Sequence, residues 1–262
     1  MDDYTIDESK IEALITENTV AIIPVHVYGN ICNIGKIQEL ADAYGLKVIY
    51  DAAHAFGVTY RGEGIGAFGD ASIFSFHATK VFNTVEGGGV TFKDRKLYDK
   101  LYNLKNFGIR GEELVTEVGA NAKMNELAAI MGLCNLNYID EVFMERKKRY
   151  EAYVERIQQI EGIRRFEESS ETEKNYAYFP ILVTERCQFD RDTLYEKLRN
   201  EGIYARKYFY PLTSDQACFK NKYRYMQLDN ARQLSREVLV LPLYADLPFE
   251  VIDKVCDILA KG

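Results

Sequence analysis

The sequence of 262 residues has no tryptophan, only three histidines and five cysteines, and no excess of positive charge. Lys and Arg total 33 against 40 Asp and Glu, and this net charge of −7 argues against a protein that binds nucleic acid through a basic face. The acidic balance also gives no reason to expect an anionic membrane as a partner. No apolar run approaches the length of a membrane span. A globular chain remains, and its 47% hydrophobic residues suffice for a sizeable core.

The cysteines are too widely spaced, with no CxxC pair, to indicate a disulfide framework or a structural zinc site. They are Cys32, Cys134, Cys187, Cys218 and Cys256. The histidines show no HxH or HxxxH spacing, so we expect no metal site. The first residues, MDDYTIDESK, are acidic and polar and do not resemble a signal peptide. We therefore expect a protein of a reducing compartment, the cytoplasm.

The first half of the chain alternates apolar runs with amphipathic stretches, a pattern typical of an α/β fold. Residues 20–25 form a continuous apolar run, which predicts a strand buried on both faces. A helix over 34–44, stopped by Gly45, and a strand over 47–50 complete a βαβ unit, whose two strands should be parallel. Further elements are predicted as strands at 71–76 and 89–92 and a helix at 94–107.

The second half has a different pattern, with longer helices and an acidic loop at 167–173. Two domains are therefore predicted, 1–140 and 141–262, the second consisting of a long bridging helix and a smaller α+β unit. The predicted helices are 125–136, 142–160, 191–200, 229–237 and 249–260, and the predicted strands are 176–183, 204–207 and 238–242.

Polar side chains follow the predicted strands of the first half. His26, His54 and His77 each close or follow a strand, where ligands of open α/β sheets bind, although a single such histidine is more often structural. Asp51 ends an apolar strand, and its carboxylate is costly to desolvate unless it is paired with a cation or a hydrogen-bond donor. A helix N-cap at Asp51, before two alanines, is an equally good interpretation.

Lys80 lies between a buried strand and three consecutive glycines at 87–89, and it is flanked by Val81 and Phe82. Desolvation lowers the pKa of an ammonium group and makes the amine a nucleophile able to form a Schiff base. The simpler interpretation is a loop lysine that extends its amine into solvent. The glycines allow a sharp turn or a close approach of the backbone to a ligand.

Taken together, these residues fit one cofactor, pyridoxal phosphate. This cofactor needs a lysine for its imine, a carboxylate on its pyridinium nitrogen, and hydroxyl and amide donors for its phosphate. Lys80, Asp51, Ser75 and the glycine run supply groups of these kinds.

The segments DAAHAFG (51–57), FSFHATK (74–80) and EGGG (86–89) resemble the DegT/DnrJ/EryC1/StrS aminotransferases. The similarity continues through PVHVYG (24–29), GANAKMNELAAIMG (119–132) and KYFYPL (207–212), and so covers essentially the whole chain. It implies a type I PLP-dependent transferase fold, in which 1–140 is part of the large PLP-binding domain.

The resemblance also implies roles for individual residues. Lys80 would bond to the cofactor and shuttle protons, Asp51 would pair with the pyridinium nitrogen, and His54 would lie near the ring and its 3-hydroxyl group. Ser75 would bind the phosphate. Asn121 corresponds to a residue that reaches the cofactor of a neighbouring subunit, which implies a homodimer with shared active sites.

Substrate contacts are implied for four further residues. His26 and Tyr28 would line the pocket, and Tyr208 and Tyr210 would contact the sugar nucleotide. Lys123 stands where relatives usually carry arginine.

A lysine rather than a histidine at position 80 favours transamination over the dehydration that some members catalyse. The resemblance implies that glutamate donates its amine, leaving 2-oxoglutarate, and that a 3- or 4-keto-deoxyhexose on a nucleotide, favoured as dTDP, accepts it. Such amino sugars belong to deoxysugar biosynthesis, including that of cell-surface polysaccharides.

Members of the family extend further at the N-terminus than this chain. We therefore expect the large-domain sheet to lack three strands, a phosphate loop and a stacking aromatic residue, which would weaken cofactor affinity and leave both sheet edges unpaired. The alternative to an aminotransferase is thus an inactive remnant that dimerises or binds a sugar nucleotide. The presence of Lys80, Asp51 and Ser75 favours the enzyme.

Overall fold

A computed structural model describes residues 3–219, 222–223 and 226–261. The chain divides into two compact units. The N-terminal unit comprises Thr5–Asp140 and Glu171–Lys174, and the C-terminal unit comprises Met1–Tyr4, Glu141–Ser170 and Asn175–Gly262.

Twelve strands and seven α-helices lie in the described part of the chain. The strands are β1 (Ala21–Ile22), β2 (Lys47–Asp51), β3 (Thr59–Tyr60), β4 (Glu63–Gly64), β5 (Ala71–Ser75), β6 (Gly88–Phe92), β7 (Ile109–Gly111), β8 (Leu114–Val115), β9 (Ile163–Arg164), β10 (Thr172–Glu173), β11 (Phe179–Val183) and β12 (Val238–Leu241). The helices are α1 (Ile34–Tyr44), α2 (Lys96–Lys105), α3 (Glu126–Leu136), α4 (Ile139–Ile157), α5 (Arg191–Asn200), α6 (Asp229–Glu237) and α7 (Phe249–Lys261).

The main sheet of the N-terminal unit has the strand order β1-β2-β5-β6. β1, β2 and β5 are parallel, which confirms the predicted βαβ unit, and β6 runs antiparallel to β5. Parallel strands end at the same edge of a sheet, so the last residues of β2 and β5 lie near one another. A small separate sheet has the order β10-β3-β4, and β7 pairs with β8.

Local signals in the sequence account for the position of α1. The Asn33 side chain accepts a hydrogen bond from the Lys36 amide at the N-terminus, and Gly45 ends the helix in the left-handed conformation with φ 66°. Ile37 and Ala41 on the inner face of α1 share a core cluster with Val48 of β2, and none of the three is exposed. Burying a side chain such as Ile37 contributes roughly 1.5–3 kcal/mol.

Helix α3 is apolar around most of its circumference, yet much of it is exposed within the chain. Leu127 and Leu133 are 80% and 66% exposed. One face of α3 contacts the loop that precedes β6: Asn135 Nδ2 donates to the Asn83 carbonyl at 2.8 Å. At Gly132 a Cβ would lie 2.8 Å from Cγ2 of Thr84, so the helix and this loop are in close contact.

The C-terminal unit packs helices against an antiparallel sheet with the order β12-β11-β9. Tyr153 of α4, Ile181 of β11, Leu194 of α5 and Val255 of α7 are fully buried in its core. Buried Arg191, at the start of α5, donates to the carbonyls of Ser235 and Val238 at the end of α6. These bonds satisfy carbonyls that a helix end otherwise leaves without partners.

The structure differs from three of the sequence predictions. The run 20–25 is not buried on both faces: only Ala21–Ile22 forms a strand, at the edge of the sheet, and Val20 and Ile23 are 75% and 61% exposed. The strand predicted at 204–207 is reduced to one bridge, between Arg206 and Val240. The acidic loop at 167–173 ends in β10, which pairs with β3.

Among the described residues, no single helix combines the length and apolar character needed to cross a membrane. Helices α3 and α4 meet that test only when taken together as a bent pair.

Candidate active site

The strand ends of the N-terminal unit bring several of the predicted site residues together. Asp51 is the last residue of β2 and Ser75 is the last residue of β5. The chain beyond β1 joins the same edge, because Val25 forms a parallel bridge with Asp51 and the His26 amide donates to the Asp51 carbonyl at 2.9 Å.

Asp51 is held by a local turn rather than by a helix. Its Oδ1 accepts a hydrogen bond from the Ala53 amide at 3.0 Å, and the Ala52 amide donates to the Ile73 carbonyl of β5 at 2.8 Å. No helix begins here, so the N-cap interpretation of Asp51 is wrong. This hydrogen bond, between residues only two apart in sequence, orients the partly buried carboxylate of Asp51 at the strand end.

Lys80 lies in a turn after β5, where its amide donates to the His77 carbonyl at 2.9 Å. Its side chain is half-buried rather than extended into solvent. Burial lowers the pKa of the Lys80 ammonium below its usual value, and the negative charge of Asp51 opposes this shift. The amine and the carboxylate are therefore within electrostatic reach of one another, as the grouping of these residues in the sequence suggested.

His54 is the third member of this group. Its Nδ1 accepts a hydrogen bond from the Tyr28 amide at 2.9 Å. Burial lowers the pKa of His54 to about 3, and the positive charge of Lys80 contributes to the shift. The imidazole is therefore neutral near pH 7.

His26 and Tyr28 occupy buried positions in the N-terminal unit. The His26 ring is fully buried, stacks on Tyr50 with 4.5 Å between ring centroids, and accepts a hydrogen bond from the Cys32 amide on Nδ1. The structure thus places His26 in the core, whereas the resemblance placed it on a pocket wall. The buried Tyr28 ring lies nearly parallel to the His54 ring, at 6.2 Å.

Ser75 and the glycine run lie side by side across β5 and β6. Ser75 is directly opposite Gly88 in the antiparallel register, and Ser75 Oγ accepts a weak hydrogen bond from the His77 amide at 3.4 Å. A Cβ at Gly88 would lie 2.9 Å from the Phe74 carbonyl oxygen. The glycine is therefore required for close approach of the two strands, a reason the sequence alone did not distinguish from ligand binding.

The other predicted site residues are Asn121, in the N-terminal unit, and Tyr208 and Tyr210, in the C-terminal unit. Asn121 is exposed and forms an antiparallel bridge with Asn106, to whose Oδ1 Lys123 Nζ donates at 2.8 Å. Within the C-terminal unit, the guanidinium of Arg191 lies 4.8 Å from the centre of the Tyr210 ring.

Sequence reasoning missed two contributions to this site. The first is the backbone amide of Tyr28, which holds His54. The second is Asn135, which supports the loop after Lys80 from α3. The sequence did contain a signal for Asn135, because it is a carboxamide side chain near the end of an otherwise apolar helix. No signal pointed to the first, because every residue other than proline carries an amide.

All five cysteines are free thiols. Among the described residues, no group of three or more His, Cys, Asp or Glu side chains is arranged to hold a metal ion.

Comparison with known proteins identifies the chain's relatives. A dTDP-4-amino-4,6-dideoxy-D-glucose transaminase of Shigella dysenteriae is 40% identical over 94% of this chain and 67% of its own length. An Escherichia coli protein of the same name is also 40% identical, over 98% of this chain and 70% of the relative.

Solved structures confirm the expected fold. A crystal structure of DesI, obtained in the presence of its TDP-sugar product, superimposes with a TM-score of 0.91 at 32% identity. The match covers 98% of this chain and 66% of DesI, so the chain spans about two thirds of the length of the relatives it matches. A family model matches residues 1–260. The chain therefore belongs to the DegT/DnrJ/EryC1/StrS aminotransferase family.

Proposed function

We propose that this protein is a PLP-dependent aminotransferase that replaces the keto group of a nucleotide-linked keto-deoxyhexose with an amine. The observation that carries the proposal is the half-buried amine of Lys80 beside the carboxylate of Asp51 and the neutral imidazole of His54. Family membership supports the same class of reaction, as the sequence predicted.

Pyridoxal phosphate is the cofactor of this family, and the residues at the strand ends fit it. They include an amine with a lowered pKa, one carboxylate at the end of β2, and a hydroxyl at the end of β5. When bound, the cofactor carries the amino group between donor and acceptor and withdraws electrons from the adjacent carbon.

Lys80 has the properties of a residue that bonds to the cofactor and moves protons. Because burial lowers its pKa, a larger fraction of Lys80 is the neutral amine that attacks a carbonyl or accepts a proton. The adjacent Asp51 limits that shift, so the amine also regains a proton readily.

Asp51, Ser75 and His54 have binding roles in this proposal. The Asp51 carboxylate, oriented by the Ala53 amide, would keep the ring nitrogen of the cofactor protonated. Ser75 would donate its hydroxyl to the phosphate, and His54 would lie beside the ring. Asn121 would reach the cofactor of the second subunit in a homodimer with shared active sites, and Tyr208 and Tyr210 would contact the nucleotide sugar.

The proposed acceptor is a dTDP-linked 4-keto-6-deoxyhexose, with glutamate as donor and 2-oxoglutarate as product. The two relatives at 40% identity, both called dTDP-4-amino-4,6-dideoxy-D-glucose transaminase, support this choice. A GDP-perosamine synthase of Escherichia coli O157:H7 is 30% identical over 97% of this chain and 68% of its own length, which makes a GDP-linked sugar the second candidate. The free thiols are consistent with the cytoplasm as the site of action.

Lys80 can be tested directly with added pyridoxal phosphate. We expect the purified protein to gain a visible absorption band and, after borohydride treatment and proteolysis, to carry the reduced cofactor on the Lys80 peptide. Lys80→Ala should lose both signals, and Lys36→Ala, which removes an exposed lysine of α1, should keep them. A colourless wild-type protein, or one labelled equally at Lys80 and elsewhere, contradicts the proposal.

The substrate is tested by measuring formation of the amino sugar from glutamate and a set of keto-deoxyhexoses linked to dTDP, GDP or UDP. We expect turnover with the dTDP sugar to exceed the others. Preferential turnover of a GDP sugar would assign the second candidate instead.

A further inference from the structure

The hydrogen bond between Tyr28 and His54 determines where the imidazole carries its proton. A backbone amide can only donate, so the nitrogen that accepts from it, His54 Nδ1, has no proton. A neutral imidazole carries one proton, which must therefore reside on Nε2.

The amide of Tyr28 points at His54 because of an unusual backbone conformation. Tyr28 has φ 58° and ψ 10°, in the left-handed region that a bulky aromatic residue rarely adopts. The turn around it is closed by hydrogen bonds from the Gly29 amide to His26 and from the Asn30 amide to Val27, at 3.1 and 2.9 Å.

The same turn is attached to the strand end that carries Asp51. The amide of His26 donates to the Asp51 carbonyl, and the Asp51 amide donates to the Pro24 carbonyl, each at 2.9 Å. Backbone hydrogen bonds thus join the turn around Tyr28 to the strand end that carries Asp51, and from this turn the Tyr28 amide contacts His54. Unfavourable backbone conformations persist where surrounding contacts hold them, and they cluster at functional sites.

The charged groups around His54 also favour an uncharged ring. The positive charge of Lys80 opposes protonation of the imidazole. The negative charge of Asp51 favours the protonated form of Lys80. A second positive charge beside Lys80 would also compete with Lys80 for the single carboxylate. A neutral ring with its proton on Nε2 offers a hydrogen-bond donor without adding charge.

We propose that the backbone amide of Tyr28 is a positioning group, which fixes His54 as the neutral tautomer protonated on Nε2 and holds it beside Lys80 and Asp51. The inference rests on the proposed function for its purpose, because His54 lies beside Lys80, the residue that would bond to the cofactor. The tautomer itself is a property of the chain alone and can be measured without cofactor.

The test uses protein labelled with ¹⁵N in the histidine rings and long-range ¹H–¹⁵N correlation spectra of the cofactor-free chain. His54→Gln identifies the signals of residue 54 by their loss. We expect His54 to show an unprotonated Nδ1 and a protonated Nε2, and not to titrate between roughly pH 5 and 8. A proton on Nδ1, or a titration within that range, overturns the proposal.

The role of Tyr28 is tested by an ester in place of the peptide bond between Val27 and Tyr28. The ester removes the Tyr28 N–H donor and keeps the side chain, and it weakens but does not remove the Val27 carbonyl that accepts from Asn30. We expect the preference for the Nε2 tautomer to fall about tenfold, the effect of one lost hydrogen bond. Tyr28→Phe keeps the amide and should match the wild type. An ester variant that folds and keeps the wild-type tautomer ratio overturns the role of the amide.

The two proposals can fail separately. If the wild type shows the expected tautomer but Lys80 takes up no pyridoxal phosphate, the proposed function fails and the positioning role of Tyr28 stands. If Lys80 takes up the cofactor while His54 carries its proton on Nδ1, the positioning role fails and the proposed function stands. In an active enzyme the ester should also change the pH dependence of the visible absorption.

Discussion

Burial divides the three histidines into two kinds of residue. His26 and His54 are largely removed from water and are uncharged near pH 7, and the pKa of each is depressed by burial. His77 is exposed, with Nε2 3.6 Å from a carboxylate oxygen of Glu86. A mutation at each position therefore has a different consequence.

The burial of His26 predicts sensitivity to acid. Its pKa is about 4 in the folded chain against 6.5 unfolded, so the unfolded state takes up a proton first as the pH falls. The stability contributed above pH 6.5 is lost progressively toward pH 4, to a total of about 3 kcal/mol. Urea unfolding at several pH values should show this loss in the wild type and a smaller one in His26→Asn, whose side chain can still accept from Cys32.

Gly111→Ala, which leaves all three histidines in place, is the control for this experiment, and it should retain the slope of the wild type. An equal slope in His26→Asn and the wild type would mean that His26 is not the group that takes up the proton.

Among single residues, the sequence singled out Asp51 and Lys80 because polar side chains follow apolar strands, and the role of His54 came from the resemblance; these roles stay predictions. The resemblance placed His26 on a pocket wall, whereas the residues alone favoured a structural histidine; the sequence does not show that its ring stacks on Tyr50 and is buried. The positive φ of Tyr28 was equally beyond prediction: local preference opposes that conformation in a tyrosine, and only the surrounding turn imposes it.

At the level of helices and strands, the predictions succeeded where local signals coincide with an amphipathic pattern. Helices α5 and α6 begin and end as predicted, and α1 is bounded by Asn33 and Gly45. The strand predicted at 204–207 failed because strand pairing depends on partners distant in sequence, and Val240 bridges only Arg206. The predicted burial of residues 20–25 was wrong because the packing over a strand's faces also depends on residues distant in sequence.

The end of α1 provides a prediction for one element. Gly45 has φ 66° and no atom within 4 Å of the position of an added Cβ, so Gly45→Ala is opposed only by backbone strain. We expect this variant to be about 1–2 kcal/mol less stable in urea unfolding. Gly111→Ala is the matched control, because that position is equally open but has no positive φ, and it should be close to the wild type. Equal stability of the two variants would contradict the assignment of α1's end to Gly45.

On the scale of the whole molecule, the exposed apolar surface of α3 is the feature that most needs explanation. Apolar patches of this kind mark association sites on proteins, and the family assignment makes a second copy of the chain the expected partner. The sequence implied a dimer through resemblance, but the exposure of individual side chains on α3 required the structure.

Self-association through α3 should be sensitive to charge on its exposed face. Leu133→Glu should convert a dimer to a monomer in sedimentation velocity, because the carboxylate would lose its hydration in the interface. Leu14→Glu changes a leucine of similar exposure outside α3 and should leave the dimer intact. A wild-type chain that remains monomeric at all concentrations, or a Leu133→Glu dimer, would contradict this role of α3.

Helix α3 contacts the loop after Lys80 through Gly132 and Asn135. These contacts can couple subunit association to cofactor binding. A second subunit that packs on α3 would contact a helix that also contacts the loop after Lys80. If cofactor loading shifts that loop, thermodynamic reciprocity requires that it strengthen or weaken subunit association by the same factor by which association alters cofactor affinity. If loading strengthens association, dilution and cofactor removal would be two routes to the same dissociated state.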